Sequence, residues 1–213
     1  MSGQYPLREK RKHATRQAIK EAALRLFAEQ GYDATTVENI AEAADLHLQT
    51  LYRHFTSKAE LAASIDRDLY LRFAAQFASR TAPTLIFWRD WVEQTSAEMA
   101  REGSHYRKSI LNLFAAPNLV TSFLDTWFQY QQLLSEALAV DMQVDLEEDP
   151  RPMLIAAMLW GGQLLTLRRW IDSKGERDFK ADSLKIVDTV IEQFGDIAGL
   201  SEERRHPQSP GIQ

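Results

Sequence analysis

The sequence predicts an all-α protein: a small N-terminal helix-turn-helix domain followed by a larger helical region. Apolar residues recur at helical intervals from about residue 19 to residue 198, and no stretch shows strand-like alternation. Residues 35–55, TTVENIAEAADLHLQTLYRHF, read as two short amphipathic helices joined by a tight turn. Ahead of them lies a third helix beneath a basic arm.

That first helix carries Ile19, Ala22, Ala23, Leu26 and Phe27 as one apolar stripe, and Gly31 stands where a left-handed C-cap is expected. Its N-terminal side holds Arg8, Lys10, Arg11, Lys12, Arg16 and Lys20 against the single acid Glu9. Such an arm either stays solvated or adds phosphate and minor-groove contacts. The next helix is expected from about residue 36 to 43, opened by a capping box of Thr35 with Glu38. Val37, Ile40, Ala41 and Ala44 fall on one face, and Asp45-Leu46-His47 form the break.

The helix after the break places Leu48, Leu51, Tyr52 and Phe55 inward and His47, Gln49, Thr50, Arg53 and His54 mostly outward. Gln49 suits bidentate pairing with adenine, and His47 can reach a base edge or a phosphate. Thr36, Thr50, Tyr52, His54 and Lys58 offer donors for phosphate oxygens. The residues expected to face DNA are therefore Thr36, His47, Leu48, Gln49, Thr50, Tyr52, Arg53, His54 and Lys58, with Arg8 and Lys12 from the arm.

Residues 14–61 resemble the N-terminal domain of the tetracycline-repressor (TetR/AcrR-like) transcription regulators. The resemblance rests on ATRQAIKEAALRLFAEQGYDATTVENIAEAA and TLYRHFTSKAEL. It departs at the turn, where the family commonly has Gly, an aliphatic residue and Ser, and this chain has Asp45, Leu46 and His47. Asp tolerates the left-handed conformation, so the departure bears on base preference rather than on fold.

Behind this domain (residues 1–57), residues 58–200 read as helices throughout. Ser57 and Glu60 repeat the capping-box spacing and open a connector over about 58–79, with Leu61, Ile65, Leu69, Phe73 and Phe77 at intervals of four. Further helices are expected near 87–102, 105–115, 118–140, 151–173 and 182–198. Gly103, Pro117, an acidic loop over residues 145–150 and Lys174-Gly175 separate them. Residues 201–213, with Pro207, Pro210 and Gly211, are expected to be a disordered tail.

The segment 153–171 is apolar nearly all round, which a helix tolerates only when covered on several sides. The last helix bears Leu184, Val187, Ile191 and Phe194 on one face, with Ile186 and Val190 beside it. The resemblance implies that the helices near 151–173 and 182–198 form a homodimer interface, where Gly161-Gly162 would permit close approach. A homodimer also suits a palindromic operator with half-sites about 34 Å apart.

The middle of the chain is rich in Trp, Phe and Tyr, and ligand pockets are typically apolar with a few placed polar groups. The resemblance implies a small-molecule effector cavity, for which Phe73, Trp91, Phe114, Trp127, Trp160 and Gln163 are the expected lining. Such walls suit a hydrophobic or aromatic effector, and Arg107, Arg168 or Arg169 could meet an anion.

Net charge is −5, yet residues 1–20 carry +5, so a basic tip sits on an acidic body. There is no cysteine, which excludes disulfide and thiol chemistry. The acids Asp141, Asp145, Glu147, Glu148 and Asp149 lack calcium-loop spacing, and the histidines show no HExxH pattern. No phosphate loop or nucleophile elbow occurs, so an all-α enzyme is disfavoured. No signal peptide or membrane span is read, and the expected location is the cytoplasm. The expected function is a ligand-released repressor without cofactor or metal, binding a double-stranded DNA operator as a dimer. The alternative is a helix-turn-helix protein governed by a protein partner or acting as an activator.

Overall fold

A computed structural model describes residues 4–100, 105–114, 116 and 119–200. The described residues form nine α-helices and no strand. They are α1 (Gln4–Gln30), α2 (Val37–Ala43), α3 (Leu48–Tyr52), α4 (Lys58–Ala78), α5 (Thr84–Ala100), α6 (His105–Phe114), α7 (Val120–Met142), α8 (Arg151–Asp172) and α9 (Phe179–Phe194). The expected tail over 201–213 and the breaks at Gly103 and Pro117 lie outside the described residues.

The described residues divide into two compact units, those within 1–69 and 101–124 and those within 70–100 and 125–200. The first unit is built on α1, whose Ile19, Ala22, Ala23 and Phe27 are fully buried. The basic segment expected as an arm is helical from Gln4, and Arg8 and Lys12 are exposed on it. Gly31, at φ 86°, ends α1, and its N–H donates to the Phe27 carbonyl at 3.1 Å.

α6 packs against α1 in this unit through bonds with no sequence signal. The Ser109 hydroxyl donates to Leu24 O at 2.6 Å, and the Asn112 amide donates to Phe27 O at 2.7 Å. Asn112 thereby adds a second donor, beside the Gly31 N–H, to a carbonyl at the end of α1.

In the second unit α9 packs on α5 and α8, with Val187, Val190 and Ile191 buried. Asp178 opens α9, its carboxylate accepting the Ala181 N–H at 3.0 Å. α9 ends at Phe194, four residues before the expected end, because the chain turns over residues 195–199 and the Leu200 N–H donates back to Gly195 O at 2.8 Å. α5 begins at Thr84, three residues before the expected start. Its Thr84 N–H donates to the Asp141 carboxylate at 2.6 Å, a cap supplied from the end of α7.

Gly162 lies against α9, where an added Cβ would collide with the Ile186 side chain. The close approach it allows is therefore between α8 and α9 of one chain. Gly161 meets nothing within 4 Å. It lies in an exposed apolar stripe with Leu154, Met158 and Leu165.

Candidate nucleic-acid interface and aromatic cluster

The α2–turn–α3 unit starts one residue later than the spacing suggested. The Thr35 hydroxyl donates to Gly31 O at 2.7 Å and accepts from the Gln30 amide at 3.2 Å, so Thr35 is buried and committed to the end of α1. Thr36 is the N-cap instead, in extended conformation, and forms the capping box with Asn39. The Asn39 N–H donates to Thr36 Oγ1 at 3.1 Å, and the Thr36 N–H donates to Asn39 Oδ1 at 3.2 Å. The expected pair of Thr35 with Glu38 is thus replaced by its neighbours, because a buried hydroxyl with two partners cannot also cap.

The turn after α2 is a Schellman motif. The Leu46 N–H donates to Ala41 O at 2.9 Å, and the Asp45 N–H donates to Glu42 O at 3.0 Å. Asp45 takes the left-handed position at φ 53°, as its place in the turn requires. His47 is the N-cap of α3 but makes no side-chain cap bond and is exposed.

Leu51 and Phe55 are buried beneath α3, whereas Gln49, Tyr52 and Arg53 are exposed and Leu48, Thr50 and His54 half-buried. Tyr52, expected inward as well as at phosphate, has 46% of its surface open to solvent. Thr36 is exposed beside them, and its cap bond leaves the hydroxyl proton free to donate.

Arg16 of α1 braces the far end of α3. Its guanidinium donates to His54 O at 2.7 Å and lies 4.0 Å over the Phe55 ring. Burial, helped by the cations Arg16, Arg53 and Lys12, pushes the His54 imidazole below its ordinary pKa. Its Nδ1 is buried without a partner among the described residues.

Lys58 stands differently from its expected role at phosphate. Its ammonium donates to Tyr32 O and Thr35 O, each at 2.7 Å, and sits 4.1 Å over the Tyr32 ring. Two of its three donors are thus committed to the loop before α2, and burial lowers its pKa. At the start of α4, the Ser57 hydroxyl accepts the Glu60 N–H at 3.0 Å. The Glu60 carboxylate reaches Thr56 rather than Ser57, accepting its N–H at 2.6 Å and its hydroxyl at 2.7 Å. Further along α4, the buried Lys20 of α1 pairs with Asp68 and donates to Ser64 O at 3.4 Å.

Aromatic rings cluster in the second unit around Phe73, which is fully buried. Its ring centroid lies 5.1 Å from Phe77, 6.0 Å from Phe87, 5.5 Å from Trp88, 5.4 Å from Trp91 and 5.0 Å from Tyr130. Trp160 stacks on Tyr130 at 4.2 Å and meets Trp88 at 5.9 Å. Of the expected lining, Phe73, Trp91 and Trp160 come together here. Phe114 instead stacks on Phe123 at 4.6 Å in the first unit. The Gln163 amide donates to Ser183 O at 3.2 Å, joining α8 to α9. Trp127 is half-buried on α7. Trp88 and Tyr130, absent from the expected lining, had no signal beyond being aromatic.

Residues 19–65, spanning the helix-turn-helix and its flanks, match the family of bacterial regulatory proteins described as the tetR family. This segment is a tetR-family regulatory domain. It is 29% identical over 172 residues to the transcriptional regulator TcmR of Streptomyces glaucescens, a match covering 77% of this chain and 76% of that one. Likeness of fold to solved structures extends past the matched segment. SmeT, the repressor of the Stenotrophomonas maltophilia multidrug efflux pump SmeDEF, superposes with a TM-score of 0.66 at 23% identity, over 85% of this chain and 91% of that one. FadR of Bacillus subtilis in complex with stearoyl-CoA superposes at 0.61 with 20% identity, over 87% and 99%. TetR-family relatives are transcriptional regulators, and this chain is a DNA-binding regulator rather than an enzyme. No helix among the described residues is long and apolar enough to cross a membrane.

Proposed function

We propose that this chain is a cytoplasmic repressor that binds a palindromic operator as a homodimer and is released by a small hydrophobic or aromatic effector. The observation that carries the reading is α3, which buries Leu51 and Phe55 and leaves Gln49, Tyr52, Arg53 and His47 exposed beside a cationic α1. Gln49 reads a base edge, and the exposed cations and hydroxyls hold phosphate. Arg8 and Lys12, Thr36, Leu48, Thr50 and His54 complete the contact set, with Lys58 contributing its one remaining donor.

The dimer forms through the exposed stripe of Leu154, Met158, Gly161 and Leu165 on α8, with the outer flank of α9 beside it. A monomeric chain rarely leaves such a stripe open. The second unit takes the effector among the rings of Phe73, Trp91 and Trp160. Solved relatives of the same fold include SmeT in a complex with triclosan, at 25% identity over 84% of this chain.

Coupling runs through α4, one continuous helix with Lys58 in its first turn and Phe73 about four turns on. A shift of α4 moves the two carbonyls that Lys58 holds, and with them the entry to α2. Effector and operator then weaken each other by the same factor, typically ~1–3 kcal/mol. Titrating the chain onto labelled DNA from upstream of its own gene, at two salt concentrations, tests this reading. Saturable, sequence-selective binding is expected, and binding that ignores sequence contradicts it.

A further inference from the structure

We propose that the aromatic cluster takes a neutral, planar aromatic ligand bearing a carbonyl-type acceptor, held by the indole N–H groups of Trp88 and Trp160. This rests on the ligand-responsive reading above and gives its effector a chemistry. Trp88 is fully buried, Trp160 is half-buried, and the Nε1 atoms of both are sealed from solvent without a partner among the described residues. Native proteins leave few such donors unmade, because each lost bond is costly. The two indole rings are neighbours, 5.9 Å apart between centroids, so one ligand can lie against both. A single ketone oxygen has lone pairs for both.

The surroundings set the rest of the ligand. Tyr130 lies nearly parallel to Trp160, at 16°, and edge-on to Trp88, so ring faces and edges here suit a flat aromatic partner that takes the place of one of them. The buried polar side chains described in this unit are Thr84, Ser96, Thr126, Ser135, Thr166 and Ser183, none of them charged. A ligand charge among these side chains would lie without a fully buried counter-charge, which is strongly unfavourable; Arg80, 3.9 Å over Phe77, is only half-buried and donates to Phe77 O at 3.2 Å. Arg72, over Trp91 at 5.2 Å, is already paired with Glu98 at 3.0 Å.

Equilibrium dialysis of the full chain against 9-fluorenone, fluorene and 9-fluorenone-2-carboxylate tests the proposal. Fluorenone should bind about tenfold more tightly than fluorene, the worth of its acceptor, and its carboxylate should bind more weakly than fluorenone. Trp88→Phe and Trp160→Phe should each weaken fluorenone by about threefold, part of that advantage, and leave fluorene unchanged. No saturable binding of fluorenone, equal affinity for fluorene, equal affinity for the carboxylate, or variants that weaken both neutral ligands alike would each overturn it. The wild-type comparison of ketone with hydrocarbon decides the matter even if a variant fails to fold. DNA affinity is read in parallel. Ketone-selective binding that leaves DNA affinity unchanged supports the ligand chemistry and counts against effector release. Release by molecules lacking this selectivity does the reverse.

Discussion

Lys58 and Tyr32 are joined twice, by an ammonium-to-carbonyl hydrogen bond of 2.7 Å and by the same ammonium 4.1 Å over the ring. With the second bond to Thr35 O, the first residue of α4 fastens the loop that enters the helix-turn-helix. Removing it leaves two carbonyls to find water and a ring without its cation. Lys58→Ala should lower stability by about 1–3 kcal/mol and weaken binding to all DNA sequences alike. The slope of log affinity against log salt should change by clearly less than the ~1 expected for a lost phosphate contact. A full unit of slope with unchanged thermal stability would make phosphate contact, rather than the hold on the loop, the main role of Lys58.

Asp66 carries a second, pH-dependent prediction. Burial raises its carboxyl from the ordinary 3.8 to about 7, with Arg67 opposing, and its Oδ2 is sealed without a partner among the described residues. Between those values the folded chain keeps a proton that the unfolded chain has released. Stability contributed by this group therefore falls as pH rises from about 4 to 7, and the loss persists above. Asp66→Asn should be more stable than the parent at pH 8, with the advantage shrinking toward pH 5. Chemical denaturation at both pH values measures this, and an advantage independent of pH would refute it.

Gly162 is required by Ile186. Gly162→Ala should destabilise the chain by about 1–3 kcal/mol through overpacking, whereas Gly161→Ala in the same helix has open space within the chain. Combining Gly162→Ala with Ile186→Ala should recover part of the loss, since the two residues share one contact. Additive losses would show that the clash lies elsewhere.

His47 occupies a capping position without capping. His47→Ser should stabilise the protein by about 0.5–2 kcal/mol by giving α3 a side-chain acceptor, while altering or weakening the preferred DNA sequence. A variant with tighter folding and an unchanged sequence preference would remove His47 from the readout.

Local signals were legible in the sequence, and non-local ones were not. The presence of α2 and α3 and the left-handed turn at Asp45 followed from helical spacing and turn chemistry, since neighbours a few residues apart decide them, although α2 starts one residue late and α3 ends at Tyr52, before Arg53, His54 and Phe55. The cap slipped from Thr35 to Thr36 because Gly31 O claims the Thr35 hydroxyl. The start of α5 depends on Asp141, 57 positions away, and the docking of α6 on α1 depends on Ser109 and Asn112, each 85 positions from its partner. No periodicity encodes such pairs. The aromatic cluster was half legible for the same reason: composition announces rings, but only packing brings Phe73, Trp91 and Trp160 together and sends Phe114 to Phe123.

The most direct test of the central claim is footprinting of the intact chain on DNA from upstream of its own gene, with wild type beside Gln49→Ala. The account predicts two symmetric protected half-sites about 34 Å apart, and a Gln49→Ala protein that binds ~1–3 kcal/mol more weakly with relaxed preference at one base pair in each. A single protected half-site, or a Gln49→Ala footprint identical in sequence preference to wild type, would contradict it.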